Sequence, residues 1–252
     1  MRNGITIVVV TVLLVASWSA DAQSRFRGPP PPAKASAAID LTGYWVSVVS
    51  EGWQVRMVTP PKGYYAAVPL NAAGRRVADA WDPAKDEATG NQCKAYGAAA
   101  IMERPGRLKI AWQDENTLRI ETDTGMQTRL LHFNAVAPMT SPPTWQGYSV
   151  AQWEYATGQT ASTPVQKRQG DLKVVTRGLR AGYLRTNGVP YGPEAVVTEY
   201  YQLFDTPNGD RWFVVTTIVD DPRYLRTSYI TSTNFKKLAD GSGWDPTPCS
   251  AK

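Results

Sequence analysis

From residue 107 onward the chain alternates between apolar and polar positions. Leu108, Ile110 and Trp112 are set against Arg107, Lys109 and Gln113, and Leu118, Ile120 and Thr122 against Arg119, Glu121 and Asp123. A period of two puts the two sets on opposite faces of a β-strand. Further strands are predicted over 145–155, 171–177, 195–204, 211–219 and 226–235. Turn-forming residues separate the runs: Asp114-Glu115-Asn116, Thr124-Gly125, Asn187-Gly188 and Pro207-Asn208-Gly209-Asp210. This gives about nine or ten strands with no βαβ rhythm and no internal repeat. The predicted fold is all-β, an antiparallel barrel or sandwich.

One stretch, 71–102, breaks the alternation and reads as a short helical insert. Asn71 can cap a helix on which Val77, Ala80 and Trp81 share an apolar face. Asp82-Pro83 then supplies a cap and first-turn proline for a second short helix.

The first residues follow a different logic. A cationic start (Met1-Arg2-Asn3) precedes an apolar run over 5–16, and Ala20 and Ala22 fit the small-residue cleavage rule. Residues 1–22 therefore read as a signal peptide, because twelve apolar residues are short for a membrane span. No transmembrane span is expected in the mature chain, and the protein is expected to be periplasmic or secreted. The four consecutive prolines 29–32 give residues 23–39 the character of an extended linker. Residues 40–252 then form a single barrel domain, long enough to bury its own core.

Export permits a disulfide, and Cys93 and Cys249 are the only cysteines. The formal net charge is +5, and removing the leader leaves it unchanged because Arg2 and Asp21 go together. The basic residues are scattered pairs rather than a stripe, which argues against nucleic-acid binding. A single histidine excludes any metal site built on two of them. Walker loops, dinucleotide fingerprints and nucleophile elbows are absent. No cofactor or metal is expected, and 205–210 reads as a hairpin turn rather than a calcium loop.

The segment Gly43-Tyr44-Trp45 resembles the G-x-W of the first strand in lipocalins and the wider calycin group. The resemblance implies a Trp packed across the barrel floor and covered by an arginine from the last strands. Arg226 is the best-placed residue for that cover. The segments 182–192 (GYLRTNGVPYG), 220–225 (DDPRYL) and 244–249 (WDPTPC) also resemble exported bacterial proteins of uncharacterised function.

Candidate chemistry rests on few residues. His132 lies on the strand after the Thr124-Gly125 turn, and two registers are open. Pairing Thr122 with Met126 turns Thr128, Leu130 and His132 inward. Pairing Thr122 with Gln127 turns Gln127, Arg129, Leu131 and Phe133 inward instead. The first is favoured, since a two-residue Thr-Gly turn would ask Thr for a positive φ. An inward imidazole is a candidate acid or base, with Glu199 or Tyr200 assisting. Val197, Glu199 and Tyr201 share one strand face, and Asp220-Asp221-Pro222 marks a barrel rim.

Trp45, Trp53, Trp112 and Trp145 are candidate ligand-stacking residues, with Arg129 or His132 as orienting groups. The expected function is binding of a small apolar or aromatic molecule in an aromatic-lined cavity. The alternative is a cofactor-independent lyase, isomerase or hydrolase in that cavity. A third reading is an envelope module that binds saccharide or protein through surface tryptophans.

Overall fold

The computed structural model describes residues 30–138 and 142–251. The expected signal peptide, residues 1–22, lies outside the described residues. Strand β1 (Gly43–Val48) leads into the short helix α1 (Trp53–Arg56), then α2 (Ala72–Asp79) and α3 (Pro83–Ala88). Two 3-10 turns follow, Gln92–Tyr96 and Ile101–Glu103. The remaining strands are β2 (Arg107–Trp112), β3 (Thr117–Thr122), β4 (Thr128–Phe133), β5 (Tyr148–Tyr155), β6 (Gly170–Arg177), β7 (Gly182–Arg185), β8 (Val189–Tyr191), β9 (Val196–Asp205), β10 (Arg211–Asp220) and β11 (Tyr229–Lys237).

Nine strands close a barrel in the order β1-β11-β10-β9-β6-β5-β4-β3-β2, and β2 returns to β1. Strands β7 and β8 form a separate hairpin. The all-β barrel expected from the alternation is therefore present. It departs from a fully antiparallel barrel at one seam, where β4 and β5 run parallel with Leu131 opposite Ser149 and Phe133 opposite Ala151.

The period of two sets what lies inside. On β10, Phe213, Val215, Thr217 and Val219 are buried, while their neighbours are less so. Trp45, Leu118, Leu131, Tyr201, Phe213 and Phe235 fill the middle of the barrel, none more than 1% exposed. Phe213 stacks on Phe235 at 4.8 Å and meets Trp45 edge-on at 4.6 Å. Lys237, on the last strand, sits 4.8 Å above the Trp45 ring. This corrects the choice of Arg226 for that cover. Arg226 is exposed in the loop before β11, where its backbone N–H donates to Pro69 O.

At the end where β1 begins, part of the proline-rich stretch seals the barrel rather than standing off as a linker. Ala33 and Leu41 are each 2% exposed within the core. Ala33 O accepts from Trp153 Nε1 at 2.9 Å, Ser36 O from Tyr155 OH at 2.8 Å, and Ala35 O and Ala37 O from Arg168. The strap turns at 33–36, where Pro32 O accepts from Ser36 N at 3.0 Å. The half-buried aromatic and guanidinium donors of the rim take up the neighbouring carbonyls.

The opposite end is covered by the helical insert and the β7–β8 hairpin. Leu70, Ala78, Leu184, Val189 and Tyr191 form a second core there with Val197 and Val219 of the barrel. Both predicted caps are in place. Asn71 accepts from Gly74 N at 2.9 Å, and Asp82 accepts from Ala84 N and Lys85 N ahead of Pro83. Cys93 and Cys249 are joined.

The β3–β4 register is the second of the two considered, with Ile120 opposite Arg129 and Thr122 bonded to Gln127. Arg129, Leu131 and Phe133 therefore face inward, and His132 faces outward. The turn escapes the expected strain because Thr124 keeps a negative φ and the left-handed positions fall on Gly125 (φ 79) and Met126 (φ 51). Asp123 Oδ1 accepts from Arg107 N and Thr124 N, and the chain near Thr247 bonds both Gly125 N and Asp123 O. Those long-range bonds fix the turn, and nothing in the local sequence announces them.

Candidate functional site

The three proposed acid–base residues occupy three environments. His132 lies half-buried on the outer face of β4, its ring stacked on Tyr148 at 4.6 Å. Burial holds its pKa below the ordinary value, against the pull of Asp114. Tyr200 lies on the outer face of β9, with Lys173 Nζ 5.4 Å from its ring centre. Glu199 alone is inside, and it is fully buried.

Glu199 and Arg129 form a two-pronged ion pair, Nη1 to Oε1 at 2.9 Å and Nη2 to Oε2 at 2.6 Å. Tyr201 OH donates to Glu199, Arg129 Nη2 reaches Thr176, and Thr176 shares a hydrogen bond with Ser149. Burial works against the Arg129 charge, but the Glu199 carboxylate outweighs it and keeps the guanidinium protonated. This cluster is a closed polar core, and each partner is held in place by the other.

The tryptophans divide as well. Trp45 is core, its indole N–H donating to Leu41 O at 2.8 Å. Trp112 packs with Phe133 and Trp153 at the strapped end of the barrel. Trp53 is 60% exposed on α1, and Trp145 carries the Arg180 guanidinium 4.3 Å above its ring. No single cavity gathers these residues.

A cleft does form at the insert end, outside the barrel wall, with a volume of about 680 Å³. One wall is formed by Val77 of α2 with Ala80 and Trp81 just past its end. Gly74 and Ala78 turn to the core, and Val77 is 38% exposed. Gly74 is required there, because a Cβ would come 2.5 Å from Tyr224 O. The other walls are α3 with Asn91 and Lys94 after it, Tyr183 of the β7–β8 hairpin, and Arg223 and Tyr224. Gly188 (φ 81) lets the turn close directly on Trp81, where a Cβ would sit 2.3 Å from the Trp81 Cβ. Asn187, fully buried, pins the turn by donating to Pro61 O and Tyr64 O.

The polar groups of the cleft fall into two sets. At its base, Asp86 is 5% exposed and accepts from Lys94 Nζ at 2.5 Å and Tyr183 OH at 2.7 Å. Burial and this hydrogen bond push the Tyr183 pKa up, so the phenol stays a donor. Around the rim stand Arg76, Lys85 and Arg223, all exposed. Four cations thus face two carboxylates, and both carboxylates are engaged, Asp86 as described and Asp82 as the α3 cap. The Trp81 indole N–H is buried without an acceptor among the described residues.

Sequence reading missed this site because its residues come from separate short segments. The signal that was available is the set of three segments singled out for their resemblance. Residues 182–192 supply Tyr183, residues 220–225 supply Arg223 and Tyr224, and Cys249 of the third ties to Cys93 beside Lys94. Asp221 joins the first two by accepting from Gly192 N at 2.7 Å and Arg223 N at 3.0 Å, which is the role of a turn-forming acid. Compared with protein-family models, with curated proteins and with solved structures, the chain gives no significant match.

Proposed function

We propose that this is an exported binding protein that takes a small anionic molecule with a flat aromatic or apolar body. Its site is the cleft between α2 and the β7–β8 hairpin. The observation that carries this reading is the apolar surface of Val77, Ala80 and Trp81 at the end of α2, left open beside three rim cations, Arg76, Lys85 and Arg223, that form no ion pair among the described residues. Trp81, Tyr183 and Tyr224 give the cleft aromatic surface, with Lys94 lying 5.2 Å from the Tyr183 ring centre and Arg223 5.3 Å from that of Tyr224, and Arg76, Lys85 and Arg223 favour a negative group at the ligand's edge. The buried indole N–H of Trp81 offers a donor to an acceptor atom of the ligand.

Binding is favoured over catalysis because the buried Asp86–Tyr183–Lys94 group is internally satisfied and Tyr183 is held protonated. The residues first considered as an acid–base set lie on three different surfaces. The barrel lumen contributes rigidity rather than volume. The closed barrel and the cation over Trp45 support the lipocalin-like resemblance, and the disulfide supports an oxidising compartment.

Isothermal titration calorimetry on the full chain with naphthoate and with neutral naphthol tests the reading. Naphthoate is expected to bind saturably and at least about tenfold more tightly than naphthol, the size of one charge-assisted contact. Trp81→Ala and Arg223→Ala are each expected to weaken naphthoate by about tenfold. No saturable binding, or equal binding by both variants, would overturn it.

A further inference from the structure

A second, smaller cleft of about 150 Å³ lies between α1, the 3-10 turn Ile101–Glu103, β7 and the start of β11. Arg56 and Arg185 line it, and they are only 6% and 8% exposed. Guanidinium groups this deeply buried are normally matched to a carboxylate. Here their hydrogen bonds go elsewhere. Arg56 Nε donates to Glu103 O at 2.9 Å and Nη1 to Glu51 O at 3.4 Å, both backbone carbonyls. Arg185 Nη1 donates to Ala66 O at 2.8 Å and Nη2 to the Tyr229 hydroxyl at 3.4 Å. Arg56 Nη2 and Arg185 Nε are buried with no acceptor among the described residues.

Two carboxylates line the cleft, Glu51, which is exposed, and Glu103, and neither forms an ion pair with these arginines among the described residues. Glu103 Oε2 accepts from Tyr229 OH at 3.4 Å. Burial raises the Glu103 pKa, against the pull of Arg56 and then Arg185. Two buried guanidinium groups and two N–H donors without an acceptor among the described residues thus border one small cleft.

We infer that this cleft binds a small oxyanion, a carboxylate or phosphate group, between Arg56 and Arg185. The planar forks of two arginines match the paired oxygens of either group. The hydroxyls of Tyr229, Thr231 and Ser232 complete the lining. The site stands apart from the cleft proposed above, and its ligand is smaller and needs no aromatic body. Glu103 acts as a competitor to the anion, because both charges draw on the same two arginines.

The test uses the full chain labelled with ¹⁵N-arginine and titrated with acetate, phosphate or chloride at equal ionic strength. Saturable movement of the Arg185 Nε–H resonance with acetate or phosphate, but not chloride, is the expected result, and the more effective of the two names the source. Arg185→Gln should weaken the stronger anion at least about tenfold, read as a thermal shift. Glu103→Gln should tighten it, since the competing charge is gone. That second variant decides the matter if Arg185→Gln does not fold. Equal response to chloride, or an affinity unchanged in Glu103→Gln, would overturn the proposal.

Discussion

His132 shows how a single residue reports on its surroundings. Burial against Tyr148 holds its pKa below the ordinary 6.5, with Asp114 opposing. Between the folded value and 6.5 the unfolded chain binds more protons, so stability rises with pH through that window and is lost as pH falls. As this is the only histidine, the effect is separable. Chemical denaturation between about pH 5 and about pH 7 should show the wild type losing stability on acidification more steeply than His132→Gln. Parallel profiles would show that the ring is not desolvated. The alternation around His132 was legible in the sequence, but its direction was not. The choice between two faces hung on one turn, and contacts from Thr247, far along the chain, made that choice.

At the scale of elements, strands were easier to read than faces. The alternating runs on β2, β3, β6, β9 and β10 gave both the strands and the shared face of Val197, Glu199 and Tyr201, which the fold turns inward. What the inward Glu199 meets was not legible, since its partner Arg129 lies 70 positions away on a strand whose register was open. Removing one member strands the other charge in the barrel. Glu199→Gln is therefore expected to cost about 3–5 kcal/mol in urea denaturation. Replacing both, Arg129→Met with Glu199→Leu, should recover most of that loss. If the single change proves neutral, solvent reaches the pair. The helix α2 teaches the opposite lesson. Its apolar stripe was legible but its destination was not, because a stripe that lines a cleft has the same spacing as one that packs on a core.

At the scale of the whole molecule, the two caps divide the barrel's tasks. The strap formed by residues 31–41 closes one end, and the insert and hairpin build clefts at the other. Pairing of the two cysteines followed from their number, but the strap did not look like part of the core, since its proline content reads as a spacer. The disulfide closes a separation of 156 residues. In the chain-entropy account a loop of that length stabilises by roughly 5 kcal/mol, and measured losses commonly span about 2–5. Replacing Cys93 and Cys249 together by Ser should lower stability within that range, with the circular-dichroism spectrum of the barrel unchanged. A loss below about 1 kcal/mol would mean that the contacts of Thr247 alone hold the chain's last segment in place.

The seam between β1 and β11 sets the order of events during synthesis. Trp45 pairs with Lys237, so the first barrel strand must wait for the last before it gains its second neighbour. Cys93 waits still longer, for Cys249. A chain emerging from its first residue onward thus passes through a stage with β1 and β10 as two bare edges, each ready to pair with another copy. Closure around so distant a contact is slow. Cells making this protein need something that keeps those edges apart until the final strand arrives.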